Sequence, residues 1–116
     1  ERRFAAMIDS DRMPSVLRWL RPATGQFDIE YDRGRRYEPD FVVECSDCKL
    51  IVEVKAERDM ADPVVLEKAR AARAWVSHAN EFVSEGDGKP WRYALLADTQ
   101  IAQSLTMAGI LANSID

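Results

Sequence analysis

Along the first twenty residues apolar side chains recur at helical spacing. Phe4 is followed by Met7 and Ile8 at offsets of three and four, and the series resumes after Asp11 and Pro14 with Val16, Leu17 and Leu20 until Pro22 stops it. A helix is therefore expected over most of residues 1–20. From Gln26 the pattern changes to alternation, with Phe27, Ile29 and Tyr31 set against polar neighbours, which predicts a half-buried strand. "RGRR" at 33–36 reads as a turn, and two apolar runs, 38–45 and 49–57, read as strands joined through "CSDC". Asp62 and Pro63 supply an N-cap and a first helical residue. The helix they open runs to about Val83, because Val65, Ala69, Ala72, Val76, Ala79 and Val83 fall on one stripe. "EGDGKP" closes it, "WRYALLAD" is a further strand, and Thr99 caps a last helix that includes Ile101 and Leu105. Helix, three strands, long helix, strand, helix is the order of an α/β protein. A central mixed β-sheet of about four strands, flanked by helices, is the expected architecture.

The hairpin carries charge where core is expected. Asp40, Glu53 and Lys55 lie within runs of Phe, Val, Leu and Ile, and such groups are rarely buried unless they are paired or bind a metal. If the turn is even in length and centred between Ser46 and Asp47, cross-strand partners have numbers that sum to 93. Phe41 then faces Val52, Val42 faces Ile51, Val43 faces Leu50, and Glu44 faces Lys49 in an opposite-charge pair that helps to fix register. The same register sets Asp40 opposite Glu53, with Lys55 two residues along on the same face. Facing carboxylates stand about 4.5–5.5 Å apart at Cβ. A hard divalent cation offsets their repulsion with oxygen ligands, and a slip of one residue would separate them. The competing arrangement is a salt bridge, in which Lys55 pairs with Glu38 and Asp40 merely enters the strand after Pro39. Three charged groups on adjacent strands with apolar flanks favour the cation site.

Composition narrows the setting. The chain has 116 residues, 47% hydrophobic and 31% charged, enough for one domain with a core that needs no disulfides. It shows no apolar run of membrane-span length and no signal peptide. Two cysteines and one histidine make no extracellular disulfide framework, so a cytoplasmic setting is expected. The opening on Glu1 rather than Met suggests a piece of a larger protein. A net charge of -4 excludes a domain that grips nucleic acid by charge alone.

"PD" at 39–40 followed after a hairpin by "EVK" at 53–55 resembles the PD-(D/E)xK nuclease superfamily, with its restriction-endonuclease-like fold. The ordered string "RYEPDFVV", "LIVEVKA", "KARAARAW", "HANEF" and "WRYALLAD" is similar, more narrowly, to the C-terminal endonuclease domain of type III restriction subunits. The resemblance implies a single endonuclease domain over residues 1–116 that hydrolyses phosphodiesters of double-stranded DNA with Mg2+, or Mn2+ in its place. Asp40, Glu53 and the backbone carbonyl of Val54 would hold the metal, and Lys55 would position the attacking water and steady charge on the phosphate. Glu1 stands where the superfamily often has an acidic residue on its first helix; a solvated helix-start charge is the alternative. Lys68, on the long helix, stands where members often carry an auxiliary polar residue, with plain solvent exposure equally open. The implied partners are an ATP-dependent helicase-like motor domain in cis and a methyltransferase or specificity subunit.

Other signals are weaker. Arg33, Arg35 and Arg36 reach a phosphate backbone or belong to a solvated turn. Cys45 and Cys48 are half of a zinc site, and His78 cannot complete it alone; a redox pair would sit at a helix start instead. There is no Gly-rich phosphate loop, so no ATP site is expected in this domain. A nuclease-fold module without activity, serving as a structural or DNA-docking piece, is the main alternative, and a metal or redox protein built on the cysteines is the other.

Overall fold

The computed structural model describes residues 1–10, 13–86, 88–101, 105–112 and 114–115, the side chains of Ser84 and Ile115 excepted. The chain begins with α1 (Arg2–Ile8), whose Phe4, Met7 and Ile8 are all buried, as their spacing predicts. The helix ends there. Val16–Leu20, expected as its continuation, is strand β1 at one edge of the main sheet. A bulge explains the difference. Pairing shifts between Val16 and Arg18, so Val16 and Trp19 both turn toward the core although three residues separate them. A bulged strand thus imitates the spacing of a helix.

β2 (Ile29–Asp32) and β3 (Arg35–Tyr37) pair with each other in a hairpin outside the main sheet. The alternation predicts β2 correctly, but Arg35 and Arg36 are strand rather than turn. Only Arg33 and Gly34 make the bend, with Gly34 at φ 71°, a conformation open to glycine. Ile29 sends this hairpin into the helix that follows, so β1 takes the sheet position expected of β2.

β4 (Phe41–Cys45) and β5 (Lys49–Lys55) pair in the expected register: Phe41 with Val52, Val42 with Ile51, Val43 with Leu50 and Glu44 with Lys49. Glu44 also collects Arg18 at 2.7 Å and Lys89 at 2.6 Å, which ties β1 and the approach to the next strand onto the hairpin. α2 (Pro63–Asn80) opens as predicted, with Asp62 Oδ1 accepting from Val64 N at 2.8 Å. Ala69, Ala72 and Val76 are buried, and their small size lets the helix lie close on the sheet. It stops earlier than its apolar stripe suggests, at Asn80. The Asn80 amide donates to Trp91 O at 2.9 Å and accepts from Trp91 N at 2.7 Å, clamping the helix end to β6 (Trp91–Ala97).

β6 runs parallel to β5. A 3-10 turn at Asp98–Gln100 stands where Thr99 was expected to start a helix, and α3 (Met107–Ala112) comes later; residues 102–104 of the expected helix lie outside the described residues. β7 (Ser114–Ile115) pairs briefly with β6. The sheet order is β1-β4-β5-β6-β7, so four substantial strands form the expected mixed sheet and β7 adds a short edge. Phe41, Val43, Val52 and Val54 face α1, while Ile51 and Tyr93 face α2. Among the described residues no helix is long and apolar enough to cross a membrane.

Candidate active site

Strand alternation turns Glu53 to the same side as Ile51, under α2, and leaves it 4% exposed. Asp40 precedes β4, and its Oδ2 accepts from Val54 N at 2.8 Å, taking a ladder position that β4 has not yet reached. The backbone N–H of Asp40 and the Tyr37 hydroxyl lie against the Glu53 carboxylate. The ladder itself ends at Phe41 and Val52. Asp40 and Glu53 therefore meet through these side-chain and backbone contacts rather than as a ladder pair. Lys55 is half-buried on the same face, near enough for its charge to act on Glu53. Glu38, its competing partner, accepts instead from the Gly25 N–H at 3.0 Å.

The electrostatics of this cluster are those of a site that wants a cation. Burial pushes the Glu53 carboxyl up to about 8, and the Asp40 charge adds to the shift; Lys55, the Tyr37 hydroxyl and the Asp40 N–H pull the other way. Oε1 of Glu53 is buried with no hydrogen-bond partner. Tyr37 and Tyr93 wall the carboxylate, and both phenols are pushed well above their ordinary range by burial first and the Glu53 charge second. A buried carboxylate with an unused oxygen beside a second carboxylate is costly unless a positive charge joins it. The donor set fits a hard divalent ion. Among the described residues no third His, Cys, Asp or Glu joins the pair, so a backbone carbonyl, water and substrate oxygens would complete the shell. The carbonyl of Val54 is the nearest in sequence, on a residue held in place by parallel pairing with Leu96.

The other candidates are placed differently. Glu1 is exposed and ion-pairs with Arg21, whose guanidinium lies 5.2 Å from the Phe41 ring centre. This puts it on the α1 side of the sheet, and the structure does not gather it with Asp40 and Glu53. Lys68 is not simply solvated: its ammonium lies 5.2 Å from the Tyr31 ring and 5.4 Å from the Tyr37 ring. Arg35 stands 4.0 Å from Asp32, Arg36 lies opposite Glu30, and both arginines, like Arg33, are exposed along the hairpin. Tyr37 and Tyr93 escaped the sequence reading. Tyr37 lies within "RYEPD", and its polar tip on an inward-facing aromatic ring is the one signal that singles it out. Tyr93 needs the parallel register, in which it pairs with Ile51.

Cys45 and Cys48 are buried free thiols across the hairpin turn, with Cys45 N donating to Cys48 O at 2.8 Å. Their sulfurs hydrogen-bond each other, which raises the Cys45 thiol and lowers Cys48. They belong to the α1-side core, across the sheet from Glu53. Changing both to alanine should therefore leave divalent-metal binding and any metal-dependent cleavage unchanged, at a cost of roughly 1 kcal/mol each in stability. Metal titration and urea unfolding of the double variant check this; loss of cleavage in a folded variant would assign the thiols to the site.

Residues 14–81 match the family described as TnsA-like endonuclease N terminal. The matched span holds β1 through α2, and with them Tyr37, Asp40, Glu53, Lys55 and Lys68. No curated protein matches the chain. The mixed sheet between helices is consistent with a restriction-endonuclease-like nuclease fold. With more than half of its length matched, and with the acidic pair and lysine inside the match, the chain belongs to the TnsA-like endonuclease N-terminal family.

Proposed function

We propose that this chain is the cleavage module of a Mg2+-dependent DNA endonuclease, a single nuclease domain within a larger protein. The observation that carries the reading is the buried Glu53 with its unpartnered Oε1, set against Asp40 with Lys55 on the same face. As packing this arrangement is a liability; as a phosphodiester-cleaving site it has a use. Asp40, Glu53 and the Val54 carbonyl are the groups to hold Mg2+ or Mn2+. A bound divalent ion supplies a Lewis acid at the phosphoryl oxygen and a water of lowered pKa. Lys55 orients the attacking water and stabilises charge that develops on the phosphate. Lys68, Arg35 and Arg36 contact phosphates of the double-stranded substrate and hold its register.

The resemblance to type III restriction subunits extends the proposal to a motor-linked restriction enzyme of the cytoplasm, with a helicase-like ATPase in cis and a methyltransferase or specificity subunit beside it. The charge supports such tethering. Affinity for duplex DNA comes largely from neutralised phosphates, and a net charge of -4 offers few of them. A tether raises the effective concentration without any new contact.

Plasmid cleavage by the intact parent protein, with Mg2+ and with chelator, tests the activity. Wild type should cut only with the ion, and the combined change of Asp40, Glu53 and Lys55 to alanine should stop it; a triple variant that still cuts would refute the site. For tethering, the 116-residue piece alone should bind duplex DNA weakly in a titration at physiological salt. Tight binding and efficient cutting by the piece would remove the need for a motor.

A further inference from the structure

We infer that Tyr37 is a positioning residue of this site: its hydroxyl aims the Glu53 carboxylate while its ring seats the Lys68 ammonium. The inference rests on the nuclease reading above. Tyr37 lies on β3, in the hairpin that stands outside the main sheet, yet its side chain reaches the buried carboxylate of the central strand β5. Its hydroxyl also donates to Lys68 O at 3.2 Å, long for a bond whose good examples cluster near 2.7–2.8 Å. That carbonyl lies inside α2 and serves the helix as well. The phenol proton is therefore loosely held by the helix and is available to Glu53, the stronger, charged acceptor.

The ring does a second job. Tyr31 packs edge-on against Tyr37 with centroids 5.8 Å apart, and Lys68 Nζ sits over both rings. Loss of the hydroxyl should free the carboxylate, while loss of the ring should free Lys68 as well. Tyr93 is no substitute, since it walls the carboxylate from β6 and has no such link to α2.

A hydrogen-bonding partner behind a metal-holding carboxylate typically contributes 10–100-fold to affinity. The test is titration calorimetry of the intact protein with Mn2+ alone. Tyr37→Phe should bind Mn2+ about 10–100-fold more weakly, its metal-free unfolding midpoint should not fall, and cleavage should recover at high Mn2+. Two near-isosteric replacements at position 37 keep the question answerable if phenylalanine perturbs folding. 4-Fluorophenylalanine, without a donor, should behave like phenylalanine, and 4-aminophenylalanine, which restores an N–H, should regain affinity. Equal affinities across this series would overturn the inference. Glu53→Gln separates the two levels: if it too leaves Mn2+ affinity untouched, the metal site itself is misassigned, whereas if it alone abolishes binding, only the role of Tyr37 falls.

Discussion

Replacing Glu53 by glutamine is expected to make the metal-free protein more stable at pH 8 while removing its capacity to hold a divalent ion. The Glu53 carboxyl titrates near 8 in the folded chain, against about 4.5 when exposed. The folded state therefore binds more protons than the unfolded state between those values, and stability falls as pH rises through them. The contribution is fully present below pH 4.5 and lost above about 8. Each pH unit in that window costs up to about 1.4 kcal/mol, so the whole penalty is on the order of 4 kcal/mol. For a domain of this size that corresponds to roughly 10 °C or more in unfolding temperature. Glutamine has no charge to desolvate, and its curve should be flat where the wild-type curve descends. The two should converge near pH 5. Saturating Mg2+ at pH 8 should restore much of the lost stability to wild type, since a ligand at a hundred times its Kd adds about 2.7 kcal/mol, and should do nothing for the glutamine variant. Thermal unfolding from pH 5 to 9, with chelator and with Mg2+, reads all of this. Parallel pH curves for the two proteins would mean that Glu53 is not the strained acid.

The same residue shows why part of this site was legible in the sequence. Asp40, Glu53 and Lys55 share a face because strand periodicity is two and the hairpin register is fixed by its apolar pairs and by Glu44 opposite Lys49. Both are local facts. The Asp62–Pro63 helix start is equally local. β1 was misread because its bulge spaces Val16 and Trp19 as a helix would, and a bulge depends on the partner strand. The alternation of Phe27, Ile29 and Tyr31 identified a strand but not its sheet. Whether β2 joins β4 or folds back on β3 is decided by how Ile29 packs on α2. Tyr37 and Tyr93 reach Glu53 from β3 and β6, so their roles depend on contacts between elements distant in sequence. Periodicity places the acids; only the assembled fold supplies their surroundings.

Lys55→Ala should lower cleavage by roughly 10²–10³-fold, the usual effect of removing one donor aimed at developing charge. The fold should survive, because Lys55 is half-buried at the end of β5 and its neighbours Val54 and Ala97 carry the packing there. Metal binding should change in a way that betrays the mechanism. Lys55 is one of the groups that hold the Glu53 carboxyl down, so its loss drives that carboxyl higher still. At neutral pH more of the metal-free site is then protonated and Mg2+ binds more weakly, but raising the pH should restore binding. The chemical step should not recover with it. Lys55→Arg keeps the charge and should hold the metal affinity near wild type, yet its planar fork cannot reproduce a compact ammonium beside the attacking water, and cleavage should stay low. Metal titrations and single-turnover cleavage by the intact protein across pH 6.5–9, at saturating metal, separate the two effects. If Lys55→Ala regained full cleavage once metal binding was restored by pH, Lys55 would be a tuner of Glu53 and the residue that stabilises the phosphate would have to be sought elsewhere, with Lys68 the first to change.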